Sequence, residues 1–306
     1  MERSFTFAIQ PAGPFSLAAS VRFVEGFAPA GYERRAGPEL TLAFPVDGDW
    51  RSVAVMLHQD SAGTIRGEMV GAADVEAVQA QVGRILSLDV DGTGFTAVRE
   101  RDPEVGRLQD RYPGLRPVTF WSPYEAAAWA LISQRIRIVE AARIKAEIAA
   151  RLGETLEIGG HPLHAFPSPA RLAELESFPG LFGRKVEWLR GLGLTALEGK
   201  LGAQHLRSMA AEQALSELMA IRGLGPFAAE LVLLRGAGHP DWLPTHEQRL
   251  VRAVQVRYRL RRPPSVDELR RLAEPWRPYR TWVCVLLRSW LEDQTGEIAG
   301  RSLGAN

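Results

Sequence analysis

The residues best placed to do chemistry sit in the rear third of the chain. The first group is a turn, Arg222-Gly223-Leu224-Gly225-Pro226, between a helix ending at Met219-Ala220-Ile221 and an apolar run, FAAELVLL, that stops at Arg235-Gly236. Two glycines allow φ > 0 and close backbone approach, and Leu224 can plug the joint. Pro226 opens the second helix, whose free N–H groups and positive dipole end suit a phosphate oxygen, with Arg222 adding charge. The same residues would also make a plain turn between two antiparallel helices. The second group is DWLPTHEQ, residues 241–248, where Glu247 sits at the start of a helix, a position the helix dipole favours for an acid. Cys284 is the single cysteine, which excludes an internal disulfide and any cysteine-held metal or iron–sulfur cluster.

Those groups need a scaffold, and the sequence changes texture along its length. Residues 1–110 read as strands with a helix or two: SFTFAIQ, FSLAASVRFV, ELTLAF and SVAVML are divided by PAGP, FAPAG and PVDGD, and DVEAVQAQVGRIL has helical spacing. From about Tyr112 the pattern is helical. Ser122, Pro123 and Glu125 form a capping-box start to a run predicted to continue to Leu152-Gly153. SPARLAELE, FGRKVEWLRGLG (a short helix ending at glycine), the segment leading to Ile221, Thr245–Gln248 with capping-box spacing before RLVRAVQVRY, SVDELRRLAEPW and RPYRTWVCVLLRSWLEDQ follow. The expected fold is an α+β N-terminal domain over 1–110 and an all-α core over 111–306.

Charge divides the same way. Residues 1–110 hold 10 Lys/Arg against 16 Asp/Glu, and residues 111–306 hold 27 against 20, so an overall +1 conceals −6 and +7. A polyanion partner is expected on the rear half, although excess arginine also merely solvates surfaces. The composition, 46% apolar and 24% charged, is ordinary for a globular protein. No apolar run is long enough to span a membrane, and the first residues lack a signal-peptide layout, so a reduced cytoplasmic protein is expected.

Together these blocks carry a resemblance. IRGLGPFAAELVLLRG is similar to the helix-hairpin-helix of the DNA glycosylase superfamily, placing the motif at about 212–236. PGLRPVTFWSPYEAAAWALISQRI, FPSPARLAEL…GRKVEWLRGL, DWLPTHEQRLVRAV and EPWRPYRTWVCVLLRSW follow the 3-methyladenine DNA glycosylase II family in order, over about 110–292. The resemblance implies a core of two helical lobes and a monofunctional enzyme of base excision repair, which flips a damaged base from duplex DNA and hydrolyses its glycosidic bond. It places Glu247 where the family has its catalytic aspartate, with Asp241, Leu243 and Pro244 preceding it. It puts Phe227, Gln134, Trp282 and Trp276 at the base pocket, and Arg222, Gly223, Leu224, Gly225 and Pro226 on the phosphates. Arg135 falls at the family's wedge and Arg288 near a pocket tryptophan of some relatives. Phe227 stands where lyase relatives carry a lysine, which argues against a Schiff-base step. No organic cofactor is implied; a monovalent cation at the hairpin is. The expected partner of a monomeric, nucleoid-associated protein is damaged duplex DNA. The Asp-to-Glu and Trp-to-Arg departures leave two alternatives: a non-catalytic damaged-DNA-binding relative, or a glycosylase for deaminated or oxidised bases.

Overall fold

The structure is a computed structural model that describes residues 4–27 and 39–296; the FAPAG break runs into the intervening segment and lies, from residue 28, outside the described residues. Its front part is a four-stranded antiparallel sheet in the order β1-β4-β3-β2, with β1 at Phe5–Ile9, β2 at Leu40–Pro45, β3 at Ser52–Gln59 and β4 at Ile65–Gly71. Val55 of β3 lies opposite Leu42 on one side and Met69 on the other, so one face is continuously apolar. Helices α1 (Leu17–Glu25) and α2 (Val75–Ile85) cover that face. FSLAASVRFV is therefore a helix, not the strand its sequence suggested. Ser16 caps it by accepting from the Ala19 N–H, and Leu17, Val21 and Val24 recur at helical spacing on its buried side.

Short helices α3 (Val98–Arg101) and α4 (Pro103–Arg111) lead into the rear part. There the long helix expected over 122–152 is two helices, α5 (Pro123–Ile132) and α6 (Ile138–Leu152). The break falls where Arg135 adopts φ 56°, a left-handed conformation that interrupts the ladder. Ser122 caps α5 by accepting from the Glu125 N–H, but the Glu125 carboxylate does not complete the box; it pairs with buried Lys145 at 2.6 Å. A β-hairpin, β5 (Thr155–Ile158) and β6 (His161–His164), packs back on the sheet through Ile158 and Ala165. Then come α7 (Pro169–Ala173), α8 (Lys185–Leu197), α9 (Ala203–Arg207), α10 (Ala211–Met219) and α11 (Pro226–Leu231), the last continuing as a π-helical turn over Val232–Gly236. α8 does not end at its glycines. A Cβ on Gly193 would stand 2.5 Å from the Pro169 carbonyl, so that glycine lets α7 and α8 touch. The chain closes with α12 (Gln248–Arg257), α13 (Val266–Ala273), a 3₁₀ turn at Glu274–Trp276 and α14 (Arg280–Thr295).

The rear part buries two apolar clusters. One joins α5–α11; the other joins α3, α4 and α12–α14. Arg84 of α2 stitches the front to the rear, donating to the carbonyls of Trp121 and Gly236, both at 2.6 Å. Gly236 ends the π turn, and the preceding Arg235 carbonyl accepts from the Phe120 N–H. The widened turn thus gives two of its carbonyls to partners outside its own ladder.

Candidate active site

The hairpin forms as its residues require. Gly223 has φ 91°, and a Cβ there would lie 2.7 Å from Leu131 and 2.8 Å from Trp188. Leu224 is buried as the plug. Gly225 differs: its φ of −95° and ψ of −178° suit any residue, and a Cβ there meets open space. It leaves the α11 N-terminus uncovered. Arg222 points outward, 79% exposed, with a 3.5 Å approach to Glu187. Gln134, in the α5–α6 turn, donates to the Gly223 carbonyl at 2.7 Å, so the hairpin and the turn carrying exposed Arg135 are held together.

Facing the hairpin is a cavity of about 1010 Å³ between the two rear clusters. Phe227 (48% exposed), Gln134 and Trp129 line it from the hairpin side; Glu247 and Arg288 line it from α12 and α14. Glu247 is the N-cap of α12, which begins two residues later than the Thr245–Gln248 spacing suggested. Its Oε1 accepts from the Arg249 N–H at 3.0 Å and lies 3.6 Å from the Arg288 guanidinium.

The approach to Glu247 is fixed by a residue the sequence reading passed over. Glu230, only 5% exposed on α11, accepts from the backbone N–H groups of Thr245 (3.0 Å) and His246 (3.1 Å), and from the Thr245 hydroxyl. The His246 ring stands 3.1 Å from the same carboxylate. An acid inside the apolar run FAAELVLL was the available signal. Asp241 plays a comparable part at the start of α14: burial acts to raise its pKa, yet hydrogen bonds from Arg280 hold its carboxyl below the usual range.

Two expectations are not met. Trp276 and Trp282 are 0% and 2% exposed and lie outside the cavity lining. Trp276 donates its indole N–H to Asp102 at 2.8 Å, and Trp282 packs edge-on to Phe95 beneath the Arg116 guanidinium. Both serve the α12–α14 core. The cavity takes its further aromatics from Tyr112 and, through α1, from Phe23 and Phe27 of the front part. Reading α1 as a strand concealed them. Cys284 touches the cavity, but burial pushes its thiol far up, which keeps it protonated and unreactive.

No protein-family model matches the chain. Related proteins do. The chain is 27% identical over 285 residues to DNA-3-methyladenine glycosylase 2 of Escherichia coli strain K12, covering 90% of each. It superposes on 3-methyladenine DNA-glycosylase from Archaeoglobus fulgidus with a TM-score of 0.75 and 26% identity, over 95% of this chain and 98% of that one. The chain is a homologue of the DNA-3-methyladenine glycosylases. A third glycosylase relative, DNA-3-methyladenine glycosylase of Bacillus subtilis strain 168, is 26% identical over 206 residues, 66% of this chain and 68% of its own. The glycosylase likeness extends over the sheet as well as the helices, further than the 110–292 that the sequence motifs carried.

Proposed function

We propose that the protein is a monofunctional DNA glycosylase that removes alkylated bases, of the 3-methyladenine type, from duplex DNA. One observation carries the reading: the Glu247 carboxylate, fixed at a helix start, faces a recess of about 1010 Å³ whose opposite wall is the hairpin. The two rear helical clusters act as the lobes of the glycosylase. The hairpin, through the α11 N-terminus and Arg222, holds backbone phosphates, and Arg135 enters the stack left by the extruded nucleotide. The base lies against Phe227, whose exposed ring offers a stacking face.

In the reaction, the glycosidic C–N bond of the sugar breaks with its electron pair leaving on the base. An alkylated purine departs neutral. The sugar gains oxocarbenium character, which Glu247 stabilises, and water adds to the same carbon, giving a proton to that carboxylate. Glutamate reaches one methylene further than the family aspartate. Its start at the first residue before α12 and its bond to the Arg249 N–H set that extra reach. Hydrolysis needs water and no organic cofactor.

The test is release of 3-methyladenine and 7-methylguanine from methylated duplex, measured for wild type and Glu247→Gln. Release by the wild type alone supports both the activity and its carboxylate. Release by both removes Glu247 from the chemistry. Release by neither, with DNA binding retained, leaves a non-catalytic DNA-binding protein.

A further inference from the structure

The positive charge of the rear part is not on the hairpin. Residues 212–236 hold Arg222 and Arg235 against Glu212, Glu217 and Glu230. Residues 249–271 hold eight arginines against Asp267 and Glu268, a net +6 of the +7 carried by residues 111–306. Only the start of α12 lines the recess, through Glu247, Arg249 and Leu250. At about 1.5 Å per residue its C-terminal end lies about 15 Å further on. There Arg257 is engaged by Glu104 and the Trp290 ring. Beyond it Arg261, Arg262 and Arg271 line a second concavity, of about 500 Å³.

The turn after α12 builds this concavity. Tyr258 caps the helix, and Arg259 follows at φ 54°, a left-handed position where glycine is the usual occupant. The Leu260 N–H then donates back to the Gln255 carbonyl at 2.9 Å. Leu260 thereby enters the floor with Pro264 and Leu272, the two leucines half-buried against the α12–α14 core. The rim is charged. Arg262 donates to both carboxylate oxygens of Glu268, at 2.8 and 2.9 Å, and so neutralises the acid of the lining. Arg261 and Arg271 are exposed and have no ion-pair partner among the described residues; the same holds for Arg259. A duplex backbone offers charge to such a rim but no apolar group to the floor. A peptide with an apolar side chain next to its carboxylates complements both.

We propose that this face, at the far end of α12 from Glu247, docks an acidic segment of a partner protein, whose carboxylates meet Arg261 and Arg271 and whose apolar side chain enters the floor of Leu260, Pro264 and Leu272. Binding there leaves the recess open, and the face stands whether or not Glu247 cleaves bases. The probes are two labelled hexapeptides, four aspartates followed by two leucines and four aspartates followed by two serines, with a labelled undamaged duplex as the third. Each is titrated by fluorescence anisotropy against the full chain at about 0.1 M salt, where charges more than about 10 Å apart are screened. The leucine peptide is expected to bind at least about 10-fold tighter than the serine peptide, a comparison that needs no variant to fold. Arg261→Glu combined with Arg271→Glu should weaken the leucine peptide at least about 10-fold and leave duplex affinity within about threefold. Equal binding of the two peptides overturns the proposal, as does no binding by either below about 1 mM. Loss of duplex affinity in step with the peptide assigns these arginines to nucleic acid and overturns it. So does sedimentation that shows self-association abolished by the two reversals, which gives the face to a second copy of the chain.

Discussion

Exchange of Glu230 for glutamine would remove one carboxylate oxygen from a turn that hangs on both. In the native protein Oε1 accepts from the Thr245 N–H and Oε2 from the His246 N–H, both within 3.1 Å and almost wholly out of water. In the glutamine variant one oxygen becomes an NH₂ group facing a backbone donor. A hydrogen bond to a buried charge is worth about 1.5–3 kcal/mol, and the surviving bond falls to the neutral value of about 1, so the loss is about 3 kcal/mol. For a chain of this size that lowers Tm by about 5 °C. The functional effect follows from position, because Thr245 and His246 lead directly into Glu247. A displacement of about 1 Å at a reacting group costs about 100-fold in rate. The assay pairs a thermal melt with single-turnover release of 7-methylguanine at a temperature where the variant is still folded. DNA affinity should hold, since Glu230 is buried on α11 and the exposed turn at Arg222–Pro226 keeps its residues, while the rate falls. A variant that melts within about 2 °C of wild type and releases base within about twofold would refute a positioning role for Glu230.

The two hairpin glycines should separate cleanly: Gly223→Ala is expected to cost about 2–4 kcal/mol from its positive φ and the collision with Leu131 and Trp188, and Gly225→Ala within about 0.5, read as urea midpoints. Arg135→Gly should stabilise the fold by about 0.5–1 kcal/mol by relieving a left-handed arginine, yet weaken duplex binding and lower its salt slope by about one, measured by titration at several salt concentrations. Asp47, mostly buried beside Arg84, has its pKa raised by burial to about 6. A carboxyl raised in the folded state contributes stability below its unfolded pKa and loses it as pH rises through about 6, so wild type should lose about 3 kcal/mol relative to Asp47→Asn between about pH 4 and about pH 8, read from denaturant midpoints.

What could be read in advance was local. The hairpin, the Ser122 cap and the α+β front each depend on neighbours a few residues apart, and each formed; the rear formed as helices too, but it is not all-α as expected, because the β5–β6 hairpin interrupts it to pack on the distant sheet. What escaped depended on distant partners. The α5–α6 break is enforced where Gln134 meets the Gly223 carbonyl, 89 residues away. Trp276 and Trp282 read as pocket aromatics because large rings suit a base, but Asp102 and Phe95 claim them from the other end of the chain. Phe23 reaches the recess only because α1 is a helix, with Phe27 just beyond its end, and the run FSLAASVRFV fits a strand nearly as well. Glu230 was visible as a charge in an apolar run, though nothing nearby in sequence indicates that its partners lie 15 and 16 residues on.

Arg84 has a consequence for how the protein comes apart. Its guanidinium is almost fully enclosed, and its donors end on carbonyls of Trp121 and Gly236 in the rear part. Phe23 and Phe27 cover Arg235 from the same side. Neither half can leave without stranding a buried cation on each face of the cut. The seam therefore behaves as interior, and heating should melt sheet and helices in one cooperative step, with the recess lost at the same temperature as the sheet that it never touches.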